Sequence, residues 1–116
     1  MSSAVPAGRV WLACLCAAWC RTCDAYEAVL REVAAEFPGL APRWIDIEDE
    51  ADLVGDCDIE TFPTIALVDE RRVRFFGPLA PQPDTLRRVL RSALAEGAGV
   101  AAAPEVEAFA QRLRAG

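Results

Sequence analysis

Trp19-Cys20-Arg21-Thr22-Cys23, at the end of the uncharged run from Val10 to Cys20, is the stretch on which the reading of this chain turns. Upstream of it, Val10 to Cys16 is short, continuously apolar and β-compatible, the pattern of a buried strand. Downstream, Tyr26, Val29, Leu30, Val33 and Phe37 recur at three- and four-residue steps, while Asp24, Glu27, Arg31, Glu32 and Glu36 fill the opposite side. That spacing predicts an amphipathic helix from Cys20 to Phe37, stopped by Pro38-Gly39. Cys20 is therefore expected at a helix N-terminus, where unpaired backbone N–H groups and the macrodipole favour a thiolate nucleophile. Cys23 is expected beside it, since positions three apart meet on a helix, and is placed to resolve a mixed disulfide formed at Cys20.

Further out, Arg43 to Ile47 alternates as a second strand, with Trp44 and Asp46 on one face and Ile45 and Ile47 on the other. An acidic helical or irregular stretch, Glu48 to Glu60, follows. Thr64 to Val68 and Val73 to Phe76 flank the charged turn Asp69 to Arg72 and predict an antiparallel hairpin. Asp84, after Pro83, is expected to cap a helix whose inward stripe is Leu86, Val89, Leu90, Ala93 and Leu94. A last helix begins at Pro104, with Val106, Phe109, Ala110 and Leu113 on one side. The expected organisation is a lead-in over 1–9, an α/β domain over 10–96, a linker over 97–103 and a C-terminal helix over 104–116 that docks back on its own sheet. The order reads β-α-β-α-β-β-α plus that helix.

With Thr61-Phe62-Pro63-Thr64 forty residues after the cysteine pair, the chain resembles the thioredoxin superfamily over roughly Val10 to Ala95. The resemblance implies a thioredoxin-like fold reduced to its minimal core, a redox-active disulfide between Cys20 and Cys23, and a cis bond before Pro63. It implies that Trp19, Phe62, Pro63 and Thr64 shape the surface on which a substrate docks. The intervening Arg21 and Thr22 are expected to tune the redox poise; the charge of Arg21 favours a thiolate, and the nearby acidic stretch opposes it. Two positions depart from the family pattern. The buried acid that thioredoxins carry six residues before the first redox cysteine corresponds to Cys14, and Trp44 stands about where a lysine partners that acid. A thiol, with an ordinary pKa of about 8.5, is a poor proton acceptor at neutral pH. Glu48 is the candidate substitute base, although a solvated loop carboxylate is an equal reading.

Composition narrows the chemistry. The chain of 116 residues is 53% hydrophobic and 26% charged, enough for one self-contained core. Its formal net charge of -6 makes nucleic acid an unfavourable partner. There is no His, Lys or Asn, which removes imidazole bases and ligands, Schiff-base lysines and phosphate-loop lysines. The eight carboxylates from Asp46 to Glu60 read as a solvated acidic face. Cys14 and Cys16 lie two apart and share a strand face, so core packing is their ordinary reading, and exchange between Cys14 and Cys23 the sharper one. Cys57 reads as a structural thiol or one near the proline loop.

A run of eleven uncharged residues is too short to span a bilayer, and one positive charge, Arg9, is a thin start for a secretion signal. We therefore expect a cytoplasmic monomer with no membrane partner. The function expected is thiol–disulfide exchange on a protein or small-molecule disulfide, supplied with electrons by an external reductase or thiol pool and without a bound cofactor. Two other classes stay open: a thioredoxin-shaped binding module or chaperone without turnover, and a metal site using the Cys-x-Cys-x3-Cys-x2-Cys run.

Overall fold

The computed structural model describes residues 9–17, 20–57, 59–95 and 99–115. Its elements are β1 (Val10–Cys16), α1 (Arg21–Ala34), β2 (Leu40–Asp46), α2 (Ala51–Val54), β3 (Thr64–Asp69), β4 (Val73–Pro78), α3 (Pro83–Ala93) and α4 (Pro104–Ala115). They build a four-stranded sheet in the order β2-β1-β3-β4. β1 runs parallel to β2 and antiparallel to β3, and β3 and β4 form the expected hairpin. The mixed sheet with flanking helices is the thioredoxin-like α/β architecture, extended by the C-terminal helix. Among the described residues, no helix is long and apolar enough to cross a membrane.

All seven residues of β1 are buried, because helices cover both sides of the central strands. Side chains alternate along a strand, so β1 contributes to two cores at once. Val10, Leu12, Cys14 and Cys16 face a core completed by Cys23, Tyr26, Leu30 and Val33 of α1 and by Leu86 and Leu90 of α3. Trp11, Ala13 and Leu15 face a second core completed by Val54 and by Val106, Phe109, Ala110 and Leu113 of α4. The helix that the sequence set apart thus seals the other face of the sheet; Phe109 is fully buried and meets Phe76 edge to face, with centroids 6.3 Å apart.

Polar contacts pin α4 in place. Arg112 Nε donates to the Leu53 carbonyl over 2.8 Å and Nη2 to that of Val54 over 3.2 Å, satisfying carbonyls at the end of α2. Arg114 Nε donates to the Asp69 carbonyl over 2.8 Å. Gly55 has φ +62, and a Cβ there would run into the Arg112 guanidinium. At the far end of the hairpin, Arg74 Nε donates to Asp69 Oδ2 over 2.8 Å, while its Nη1 donates to the Ala93 and Ala95 carbonyls over 2.9 and 3.1 Å.

Several boundaries differ from the expected ones. β2 starts at Leu40 and carries Pro42 inside an outer strand, where one face of the backbone has no partner strand. α3 begins with Pro83 and is preceded by Gln82, which makes no side-chain cap. Asp84 is therefore not the cap; it lies in the first turn, where its carboxylate accepts from Arg87 Nη1 over 2.9 Å. The stretch after β2 forms only the short α2.

Candidate redox site

The site forms where the C-terminal end of β1 meets the start of α1. Cys20 immediately precedes α1, half-buried, and its N–H donates to the Ala17 carbonyl over 3.0 Å. Arg21 opens the helix and is exposed. Cys23, one turn in, is fully buried against the sheet because it extends the inward stripe of Tyr26, Leu30 and Val33.

The expected Cys20–Cys23 disulfide is not what the structure contains. Cys23 is bonded to Cys16, with Cα atoms 5.9 Å apart, and Cys20 is a free thiol. The reason lies in the two periodicities. Cys14 and Cys16 share the face of β1 that α1 covers, and Cys23 projects from α1 onto that face, whereas Cys20 stays at the rim.

Cys14 completes the cluster, with its Sγ 3.6 Å from the Sγ of Cys16. A disulfide sulfur has no proton, so Cys14 S–H is the donor and Cys16 the acceptor. Burial, followed by the charge of Glu27, pushes the Cys14 thiol up to about 12, which keeps that proton in place. Tyr26 is buried beside these thiols with its hydroxyl unpartnered. Burial first, and then the neighbouring Cys14, raises the pKa of this phenol. Cys14 thus occupies the position expected for the family's buried acid, and its cross-strand partner in the β1–β2 register is Trp44.

The remaining candidates are dispersed. Glu48 is exposed, and its backbone N–H donates to Asp46 Oδ1 over 2.8 Å; the carboxylate coupled to Cys14 is that of Glu27. The Phe62–Pro63 bond is cis. Phe62 is half-buried against the α1-side core, and Pro63 is buried. Thr64 is also buried, its hydroxyl donating to the Thr61 carbonyl over 2.6 Å, so its hydroxyl faces the loop. That loop borders a groove of about 300 Å³ lined in part by Glu60, Thr61, Thr64 and Gly77. Trp19 and the side chain of Thr22 lie outside the described residues. Cys57 belongs to the α4-side core, where its thiol donates to the Glu105 carbonyl over 3.2 Å. Burial raises its pKa despite the opposing charge of Arg112. It is a structural thiol on the opposite side of the sheet. The disulfide joins two of the four cysteines in the Cys-x-Cys-x3-Cys-x2-Cys run, and no three metal-ligating side chains are grouped among the described residues.

The family model for thioredoxin matches residues 3–84. The chain belongs to the thioredoxin family. A curated relative, "Putative thioredoxin H10" of Arabidopsis thaliana, is 26% identical over 65 residues, which cover 56% of this chain. The match spans 42% of that relative's own length. Among solved structures, a mutant thioredoxin from Halobacterium salinarum NRC-1 is 25% identical with a TM-score of 0.62, covering 75% of this chain and 76% of that one. Thioredoxin from Trypanosoma brucei brucei, 24% identical, shares the fold with a TM-score of 0.62 over 72% of this chain and 73% of that one. Thioredoxins act on disulfide substrates and are themselves reduced by reductases, and the buried cysteine pair of this thioredoxin-family chain fits thiol–disulfide chemistry.

Neither Cys16 nor Tyr26 stood out in the sequence as part of the site. A signal for Cys16 was present: extending the helix stripe backwards from Tyr26 by three residues turns Cys23 inward, onto the face that Cys14 and Cys16 share. Glu27 carries no such signal, because it sits among the polar residues of the same helix.

Proposed function

We propose that this thioredoxin-family chain is a thiol–disulfide oxidoreductase in which Cys20 attacks the disulfide of a protein or small-molecule substrate and Cys23 resolves the mixed disulfide. The observation that carries the reading is the contrast between the two sulfurs. Cys20 is half-exposed at the helix start, while Cys23 is buried one turn away and already takes part in a disulfide. Phe62 and Pro63 are proposed to receive the substrate's main chain, with Trp19 contributing to substrate docking and Arg21 and Thr22 tuning the pair. The exchange requires no bound cofactor, because electrons enter from an external dithiol or reductase. The proposed setting is the cytoplasm, where such a thiol pool is maintained.

The test is insulin reduction with dithiothreitol as donor. Cys20→Ser is expected to lose the activity, and Cys23→Ser to accumulate an insulin adduct at Cys20. Unchanged activity in both variants rejects the assignment. One observation favours a second reading, a binding module without turnover: the sulfur assigned to resolution is held by Cys16. Wild-type protein that captures a partner without a covalent link and never turns over would support that reading.

A further inference from the structure

We propose that Cys16 is a third participant in the exchange, so that the disulfide first formed between Cys20 and Cys23 passes inward to Cys16 and Cys23 and leaves Cys20 free in the oxidised protein. This deepens the thiol–disulfide reading and rests on it. The argument starts from access. Cys16 and Cys23 are 1% and 0% exposed, so an external dithiol in solution has no direct line to their bond. Thiol–disulfide exchange needs an attacking sulfur in contact with the bond. Cys20 is the half-exposed thiol that packs against the same core and precedes Cys23 by three residues, the spacing at which helical side chains meet. It is the entry point for electrons into an otherwise sealed disulfide.

Each step balances. The Cys20 thiolate attacks a substrate disulfide, forming a Cys20–substrate bond and releasing one substrate thiolate. Cys23 loses its proton and attacks Cys20 Sγ, forming Cys20–Cys23 and releasing the second substrate thiol. Cys16 then gives up its proton and attacks Cys23 Sγ; the Cys16–Cys23 bond forms, the Cys20–Cys23 bond breaks, and the electron pair leaves on Cys20. In sum, one substrate disulfide is reduced to two thiols, Cys16 and Cys23 are oxidised, and Cys20 is regenerated. An external dithiol restores the reduced state by the reverse route: Cys20 attacks Cys23, Cys16 departs as a thiolate, and the dithiol reduces the exposed Cys20–Cys23 bond.

The surroundings of Cys16 suit that departure. Cys14 S–H, 3.6 Å away, already points its proton at the Cys16 sulfur and remains a donor when negative charge develops there. Tyr26, packed in the same core, has a buried hydroxyl without a hydrogen-bond partner. A disulfide with a purely structural role gains nothing from a free thiol at its rim.

The test follows the bond itself. Fully reduced wild-type protein is mixed with limiting insulin, trapped with N-ethylmaleimide and mapped by mass spectrometry; cleavage after Trp19 separates Cys16 from Cys20, and cleavage after Arg21 separates Cys20 from Cys23. The expected product carries the label on Cys20 and a Cys16–Cys23 link. In Cys16→Ala the link is expected to move to Cys20–Cys23, with the label on Cys20 lost. In the second arm, native oxidised protein is treated with dithiothreitol, and opening of Cys16–Cys23 is expected in wild type and lost in Cys20→Ser. A Cys20–Cys23 link in oxidised wild type, or a Cys16–Cys23 bond that opens equally fast with and without Cys20, overturns the relay. Either result leaves the proposed oxidoreductase standing if insulin reduction still requires Cys20; the loss of that requirement is the separate failure of the functional reading.

Discussion

A sulfur's surroundings decide what it can do, and this chain places its cysteines in three kinds of environment. Cys57 is spent on a hydrogen bond to the backbone of α4, Cys20 meets solvent, and Cys14, Cys16 and Cys23 share a pocket closed to water. Cys14 is the most constrained. Its pKa, pushed up to about 12 by burial and by Glu27, predicts that it stays protonated through neutral pH and does not alkylate in the native state. Maleimide labelling followed by peptide mapping checks this: Cys20 should label at pH 7 in oxidised protein, and Cys14 only after denaturation. Labelling of Cys14 in native protein at pH 7 would refute the burial argument. The Cys-x-x-Cys pair and the place of Cys20 at the start of α1 were legible in the sequence because spacing and helix position are local. The partner of Cys23 was not, because it depends on which strand residue lies under the helix, a fact of packing between elements.

At the scale of elements, the hairpin is held by an ion pair that must satisfy itself inside the protein. Burial alone would raise the Asp69 carboxyl, but the N–H groups of Arg71 and Arg72 and the guanidinium of Arg74 outweigh it and hold it below the ordinary carboxylate range. An acid whose folded pKa is depressed adds stability that is fully present above its unfolded value, about 3.9, and is lost as pH falls through the lower folded value. Asp69→Asn should therefore flatten the loss of stability below about pH 4, measured by urea unfolding across the acid range. Arg74→Ala, which leaves the Asp69 carboxylate with the Arg71 and Arg72 N–H groups alone, should cost about 1–3 kcal/mol in the same experiment. The elements themselves were read in the right order, since the apolar periods of α1, α3 and α4 and the charged turn between β3 and β4 are strong local signals. Boundaries slipped where chemistry was ambiguous. Asp84 has the composition of a cap, yet Pro83 takes the first helical position and places it inside the turn. β2 extends back to Leu40 across a proline that reads as a breaker.

Across the whole molecule, the two faces of β1 bind the redox pocket and the C-terminal helix into one cooperative structure. Phe109→Ala, on the face opposite the cysteines, removes a fully buried ring and should destabilise the fold by about 3–5 kcal/mol in chemical denaturation. Because Ala13 and Leu15 alternate with Cys14 and Cys16, that loss should appear as a single transition, with the far-ultraviolet signal and the accessibility of Cys14 changing together. Two separable transitions would show that α4 is an appendage. Pro42 bears on how copies of this molecule meet at high concentration. β2 forms one border of the sheet, and its mid-strand proline has no N–H to offer an incoming chain. Lateral zippering of copies is disfavoured on that side, which leaves β4 as the outer strand of the described sheet without a mid-strand proline.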